Sequence, residues 1–405
     1  MEIKTVMKPT SDCVLTINGG SSSIRFSVYQ MDEEQTRLFY GKIESISTER
    51  ATFSLYDSIT KDSEKVNIGL INFDGGVHFL LDWLQKKGSF TTITAIGHRI
   101  VYGMKYTDPA LITPKLLKEL KELSDFAPEH LPGAIKLIEA FGKQYPALPQ
   151  IACFDTAFHT SMPQVAKLLP IPRRYYKMGI QRYGFHGLSY AFLLEELDRV
   201  GGRETANGKI VFAHLGNGAS LAAVKEGKCI DTSMGFTPTS GLPMSTRSGD
   251  LDPGVAWYLM QFEKCSAEQF NHIINHESGL LGLSETSSDI RELLQRQATD
   301  NRAAEAIEMF CYQTKKWIGS FAAALGGLDS LVFSGGIGEN APEIRDRICS
   351  GLQFLGIELD EKRNLNSELI ISTDKSKVSV YIIQTNEELM IARLVFHVLN
   401  NSNNN

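Results

Sequence analysis

The sequence has no C-x-x-C pair, no G-x-x-x-x-G-K-[ST] phosphate loop, no surplus of positive charge and no long apolar run. Each absence excludes a class. The six cysteines (Cys13, Cys153, Cys229, Cys265, Cys311, Cys349) are scattered and mostly in apolar surroundings, so free buried thiols of a cytosolic protein are expected rather than a zinc site or a disulfide framework. Without the Lys-Ser/Thr ending there is no P-loop kinase. A net charge of −6 argues against general nucleic-acid binding while leaving room for a local basic pocket that takes a small anion. Nothing approaches the roughly 18 apolar residues that span a bilayer. The opening MEIKTVMKPTSD lacks the apolar segment of a secretory signal, and the NNSNNN ending is polar with no readable chemistry. A cytoplasmic protein is expected.

What is present is an ordinary globular composition, 42% apolar and 22% charged, over 405 residues. That length is too great for one core, so two domains or more are expected. Strand-like and helix-like stretches alternate, which argues α/β. TAIGHRIVYG reads as a strand entering a loop. TPKLLKELKELSDFAP and PGAIKLIEAFGKQYP have prolines at their edges and helical apolar spacing. QIACFDTAFH reads as a buried strand ending at Asp155, and a carboxylate at the C-terminal end of such a strand lies where open α/β sheets bind ligands. A helix cap or turn residue is the competing reading of Asp155.

Glycine loops carry most of the chemistry. In LTINGGSSSIRFSVY, two β-rich runs flank Asn18-Gly-Gly-Ser-Ser-Ser23, which holds more donors than a hairpin turn needs. Such a stretch is either a flexible serine loop or a concave anion site. KIVFAHLGNGASLAAVKEGKCID repeats the plan later in the chain, with Ser220 beside a Gly-Asn-Gly turn, and suggests a duplicated domain with a cleft between the halves. In SLVFSGGIGENAPEIRDRI a strand runs into the turn Gly335-Gly336-Ile337-Gly338, and Pro342 sits near the first turn of a helix. Gly336-x-Gly338-x-x-Ala341, with Asp360 beyond it, also fits a dinucleotide fingerprint and brings in a nicotinamide dehydrogenase. That reading leaves too few residues for a complete nucleotide domain and no task for the first two hairpins.

The segments INGGSSSIRF, GHRIVYG, FDTAFH, RYGFHG, HLGNGASL, TRSGDLDPG, SSDIRE, GGIGEN and TNEELMIAR occur in this order from about Val14 to Ala392. Together they resemble acetate kinases and their propionate and butyrate kinase relatives, in the superfamily of acetate and sugar kinases, heat-shock ATPases and actin. The resemblance implies an α/β fold of two duplicated ribonuclease-H-like domains (1–156 plus 388–405, and 157–387), with ATP in the cleft, in a homodimer. It implies Mg²⁺-dependent transfer between ATP and a short carboxylate, giving ADP and acyl phosphate. By similarity, Asp155, His186, Arg247 and Arg99 are catalytic, and Arg99, Val101, Phe185 and Pro238 meet the acid. The nucleotide falls to Arg25, His214, Leu215, Gly216, Asn217, Gly218, Asp289, Ile290, Arg291 and the run Gly336, Ile337, Gly338, Glu339 and Asn340, whose apolar turn residues would cover the purine. Asn18 and Glu387 resemble the Mg²⁺-associated pair. The residue types suit the chemistry: a carboxylate is already ionised near neutral pH, so the protein must bring two anions together and neutralise the phosphoryl oxygens.

Ordinary readings compete with several of these roles: a surface ion pair for either arginine, a core histidine for His186, a helix-terminal acid for Glu387. The sequence also departs from the family pattern. Glu129 and Leu131 flank His130 in place of leucine and asparagine, and Tyr102 replaces histidine. Leu188 and Tyr190 replace threonine and histidine, and Thr239-Ser240, Pro243 and Ser245 replace a leucine-acid pair, methionine and glycine. Glu129 would wall the acyl pocket, where an unpaired carboxylate would repel acetate. The changes cluster on the acyl side, so a preferred acid other than acetate is an open alternative. A non-catalytic ATP-binding module of the actin type is another.

Overall fold

The computed structural model describes residues 13–20, 23–32, 34–87, 92–124 and 131–403. Among the described residues thirteen strands fall into two sheets. The first holds β1 (Cys13–Gly19), β2 (Ile24–Gln30), β3 (Arg37–Glu44), β4 (Thr52–Asp57), β5 (Ser63–Asn67), β6 (Ile93–Ile100), β7 (Ala110–Leu111) and β8 (Gln150–Phe154), in the order β5-β4-β3-β2-β1-β6-β8-β7. The second holds β9 (Lys209–Leu215), β10 (Ala219–Lys225), β11 (Lys228–Thr232), β12 (Ser330–Ser334) and β13 (Ser379–Ile382), in the order β11-β10-β9-β12-β13.

The two sheets share one plan. In the first, β1 pairs antiparallel with β2, β2 antiparallel with β3, and β1 parallel with β6, which is parallel to β8. In the second, β9, β10 and β11 form the same antiparallel meander, and β9 is parallel to β12, which is parallel to β13. Numbered over the five strands they share, both read 3-2-1-4-5, the ribonuclease-H-like arrangement, and the first sheet adds β4 and β5 at one edge and β7 at the other. The duplication suspected from two glycine hairpins is therefore visible in topology. Parallel neighbours need cover on both faces, and β1, β8 and β12 are buried along their whole length. That is why QIACF and SLVFS are runs of buried residues rather than alternating ones.

The chain divides into two compact units, Met1–Ala157 with Asn386–Asn405, and Phe158–Thr385. The return to the first unit thus begins just before Glu387, where the sequence reading placed Glu387 in the second domain. The C-terminal helix Glu387–Asn403 lies against β1 and β6, where Gly97 makes room for it. A Cβ at Gly97 would stand 2.4 Å from Ile391 and 2.7 Å from Val395. The core of the first unit packs Phe26, Phe39, Phe53 and Ile43 of the sheet against Val77, Leu80, Leu81 and Leu84 of the helix Phe73–Lys86. The helix Leu131–Gln144 adds Leu137 and Phe141. The second unit has its own core, in which Tyr190, Leu193 and Leu197 of the helix Gly187–Ala206 meet Ile210, Phe212, Ala222 and Val332. Among the described residues no helix is long and apolar enough to cross a membrane. Five of the six cysteines are buried and none is bonded to another.

Candidate active site

In the first unit the candidate residues gather at the ends of β1, β6 and β8. Asn18 is the Cα partner of Arg25 across the β1–β2 hairpin, and Ile17 is that of His98 across β1–β6. Arg99 follows on β6 and lies beside Cys153 of β8, so Asp155, just past that strand, comes within reach. Its Nε donates to both Asp155 carboxylate oxygens, at 3.1 and 3.2 Å, and its Nη2 donates to Oδ2 at 2.6 Å. Nη1 donates to Asn18 Oδ1 at 3.1 Å and stands 3.5 Å from Glu387 Oε2. Asn18 Nδ2 donates to Glu387 Oε2 at 3.1 Å. Burial disfavours the charge on Arg99, but Asp155 and Glu387 outweigh it and the guanidinium pKa is raised, so the cation persists at any working pH. Asp155 is fully buried, and a buried carboxylate in a fork-to-fork pair is an orienting group for its arginine.

Asn18 and Glu387 supply hard oxygen donors, one amide and one carboxylate, hydrogen-bonded to each other. Among the described residues no group of three or more His, Cys, Asp and Glu side chains could hold a metal. Mg²⁺ keeps most of its waters and leans on substrate phosphate, so one carboxylate and one amide oxygen fit its needs. Arg25 is exposed on β2, facing a shallow pocket with Arg37, Lys42 and Glu388. Val101 is buried just after β6.

In the second unit His186, His214, Arg247 and the second glycine loop come together. His186 opens the helix Gly187–Ala206 with a left-handed backbone, φ 58° and ψ 24°, a conformation that costs a non-glycine residue about 1–2 kcal/mol. Gly184 two residues earlier has φ +76°, and a Cβ there would press to 2.6 Å of the buried His159 ring. His159 Nε2 bonds the Phe185 carbonyl at 2.9 Å, so a core histidine props the turn that presents His186. The His186 and His214 rings stack with centroids 4.3 Å apart. A Cβ on Gly218 would lie 3.1 Å from His186 Nε2 and 3.7 Å from Arg247 Nη1; one on Gly216 would lie 3.7 Å from the Gly336 amide and 3.9 Å from His214 Nε2. These glycines leave open the space on which two imidazoles, a guanidinium and a backbone amide converge. Arg247 Nη1 donates to the Pro238 carbonyl at 3.2 Å, and the Ser245 amide donates to the Asn217 carbonyl at 3.2 Å.

The remaining nucleotide candidates are less uniform. The third loop is a short helix, Gly335–Asn340, followed directly by Pro342–Cys349, where the sequence suggested a turn. Glu339 Oε1 accepts from the Gly335 amide at 2.9 Å, so one donor of that loop is already used. Leu215 is fully buried in the second unit, and Ile290 and Ile337 are buried with 5% and 7% exposure. Asp289 caps the helix Ile290–Arg296 and pairs with Arg291, which lowers its pKa. Asn217 and Asn340 sit at the surface end of their loops, Asn340 Nδ2 donating to the Gly336 carbonyl. Phe185 is buried, with 1% exposure, and Pro238 half-buried. Of the departures, Tyr102, Leu131, Leu188 and Tyr190 are buried and Glu129 lies outside the described residues.

Sequence reasoning missed Ser189, Thr385 and Arg345. Ser189 Oγ lies 2.8 Å from His214 Nδ1 and 2.7 Å from Thr385 Oγ1, and the Thr385 amide donates to Glu339 Oε1 at 3.2 Å. Fully buried Arg345 donates from Nη1 to the carbonyls of Gly338 and Glu339. Nothing in PEIRDRI distinguishes that arginine from a surface charge.

Paired 3-2-1-4-5 sheets, with glycine loops at the strand ends, define a phosphotransferase-type α/β protein of the actin-like ATPase fold. The chain belongs to the acetokinase family, whose family model matches residues 13–393. It is 42% identical to an acetate kinase of Oceanobacillus iheyensis over 94% of this chain and 97% of that one. Among solved structures it resembles a propionate kinase from Francisella tularensis, at TM-score 0.88 and 36% identity over 95% of this chain and 98% of that one. It also resembles the acetate kinase of Porphyromonas gingivalis, at TM-score 0.85 and 36% identity over 96% and 100%.

Proposed function

We propose that the protein catalyses reversible phosphoryl transfer from ATP to a short-chain carboxylate, acetate in the first place, giving acyl phosphate and ADP. It is a phosphotransferase of the acetate kinase type with a carboxyl group as acceptor. The observation that carries the mechanism is the convergence of His186 Nε2 and Arg247 Nη1 on Gly218. A protein that only holds ATP has no use for such groups beside a phosphate loop.

In the forward step a carboxylate oxygen attacks the γ-phosphorus and the bond to the ADP oxygen breaks, ADP taking the electron pair. No strong base is required, because the acid is ionised at neutral pH. What is required is charge neutralisation on the phosphoryl oxygens. Arg247 takes that role and His186 adds a hydrogen-bond donor to the same oxygens, with His214 and the amides of Gly216 to Gly218 on the polyphosphate. Arg99 meets the carboxylate, and Asp155 holds its guanidinium in one orientation. Asn18 and Glu387 would hold Mg²⁺, which when bound neutralises charge on the phosphates.

A hydroxamate assay with ATP and Mg²⁺ across acetate, propionate and butyrate tests the reading. Arg247→Ala is expected to cut acyl phosphate formation by about 10²–10³ while ATP still binds. Absence of acyl phosphate with every short acid would leave an ATP-binding module instead. The Francisella propionate kinase and the altered acyl-side residues favour a second reading, in which a longer acid outperforms acetate.

The same reading makes the protein a cytoplasmic homodimer, as its buried free thiols suit a reducing compartment. The helix Pro253–Phe262 supports the dimer. Its sequence PGVAWYLMQF is almost wholly apolar, yet no residue in it is buried, and Trp257 and Phe262 are 61% and 62% exposed. Beside it runs a groove of about 800 Å³ lined by Leu251, Val255, Leu259, Phe270, Leu283 and Trp317. A second copy of this apolar face is the occupant with matching chemistry.

A further inference from the structure

A continuous run of hydroxyls reaches His186 from the side away from Gly218. Tyr190 is fully buried, and its hydroxyl lies 2.5 Å from Ser220 Oγ. Ser220, also fully buried, lies 2.9 Å from His186 Nδ1. Tyr190 stands where the resemblance puts histidine, so the phenol end of this run belongs to this chain.

The directions of the bonds follow from the number of protons and acceptors. Burial raises the Tyr190 pKa, so the phenol keeps its proton. The side-chain acceptor within reach of that proton is Ser220 Oγ. The His214 backbone also bonds the Tyr190 hydroxyl in the sense that lowers its pKa, as a donating N–H does, so it takes no proton from the phenol. A reversed bond to Ser220 would cost the phenol proton its side-chain acceptor. With Ser220 Oγ receiving from Tyr190, its own single proton is placed to go to its other side-chain neighbour, His186 Nδ1 at 2.9 Å. A neutral imidazole that accepts at Nδ1 carries its hydrogen at Nε2. Nε2 is the atom 3.1 Å from the position a Cβ on Gly218 would take, toward Arg247.

We infer that Tyr190 and Ser220 are positioning residues that hold neutral His186 as the Nε2–H tautomer, so that it presents a hydrogen-bond donor to the transferring phosphoryl group. Neither residue touches substrate; both act through His186. The stacked partner has a parallel arrangement, with His214 Nδ1 held by Ser189 Oγ, which Thr385 Oγ1 backs. Two imidazoles at 4.3 Å cannot both be cationic without mutual repulsion, so a hydroxyl on each Nδ1 lets both act as donors while one or both stay neutral.

The inference rests on the proposed role of His186, and its test has a readout independent of activity. The protein is labelled with ring-¹⁵N histidine and the His186 signals are assigned by their loss in His186→Gln. Wild type is expected to show a protonated Nε2 and an unprotonated Nδ1 at pH 8. Tyr190→Phe keeps the ring and removes the hydroxyl; Ser220→Ala removes the link itself. In each the two ¹⁵N shifts are expected to move toward a mixture of tautomers. In each, kcat should fall about tenfold with KM for ATP unchanged, the size expected for one lost orienting bond. The double variant should be no worse than Ser220→Ala alone. Wild-type His186 protonated at Nδ1, or ¹⁵N shifts unmoved in Tyr190→Phe, would overturn the inference whatever the activity. Unaltered kcat with shifted tautomers would overturn instead the role of His186. Tyr190→His serves where Phe lowers stability, since a ring N–H can again donate to Ser220 and should restore the wild-type shifts.

Discussion

Single side chains in this protein show how burial sets chemistry. His98 and His159 are both fully sealed from water, and burial pushes each pKa down to about 4. His98 is held at 2.7 Å by Gln150, and His159 lies between the Phe185 carbonyl and Cys229 Sγ. The unfolded chain titrates them near 6.5, so between pH 6.5 and 4 it binds protons that the folded chain refuses. Stability contributed by these rings is present above pH 6.5 and is lost as pH falls, by up to about 3 kcal/mol for each ring. Melting temperature should therefore drop from pH 7 to pH 5, and His159→Gln, which still donates to Phe185, should flatten that drop. An equal drop in wild type and variant would show that His159 titrates freely. Because His159 also supports the turn before His186, a loss of kcat accompanying acid loosening is expected at the same pH. Arginine pairing was partly legible here: a guanidinium at a strand end and a carboxylate at the next suggested Arg99 and Asp155. An orienting role for Asp155 toward an arginine or a metal-bound water was legible too; that the arginine is Arg99 was not, because a contact between residues 56 apart in sequence leaves no local pattern.

At the level of elements, the glycine hairpins were read correctly because the signals are local. β-rich runs on either side of Gly-Gly and Gly-Asn-Gly dictate β1–β2 and β9–β10 by themselves. The third loop shows the limit. GGIGEN reads as a turn from its glycines, yet it is helical, because Glu339 caps Gly335 and Arg345 grips the carbonyls of Gly338 and Glu339. Arg345 also donates from Nε and Nη2 to Asn364 and from Nη2 to Ser367, tying the loop to the helix Glu361–Leu365. It has no carboxylate partner among these, and burial brings its pKa down to about 10, still charged at neutral pH. Arg345→Lys offers a compact ammonium in place of a fork and leaves carbonyls unpaired, each costing about 1–3 kcal/mol. A lowered melting temperature together with ATP affinity weakened several-fold is expected, measured by thermal unfolding and calorimetry. Intact ATP affinity in a destabilised Arg345→Lys would show that the loop does not depend on the clamp.

At the scale of the whole molecule, the apolar helix Pro253–Phe262, none of whose residues is buried, is a mismatch between composition and environment. Trp257→Glu with Phe262→Glu places charge on that face without touching a buried group. Sedimentation should show wild type as a dimer and the double variant as a monomer with an unchanged far-ultraviolet spectrum. A monomeric wild type would remove the second copy as the occupant.

The sequence alone determined the family, the two-fold repetition and the identity of nearly every candidate residue, since motif order and hydrophobic period are written along the chain. Only the tertiary structure decided that Arg99 joins Asn18 and Glu387, that Ile290 and Ile337 are buried, and that Tyr190 reaches His186 through Ser220. The reason is physical. Local preference is set by a residue and its near neighbours, whereas burial and hydrogen-bond partnership depend on which distant strands and helices pack side by side. Tyr190 and Ser220 are thirty residues apart and meet because the helix Gly187–Ala206 packs on β9.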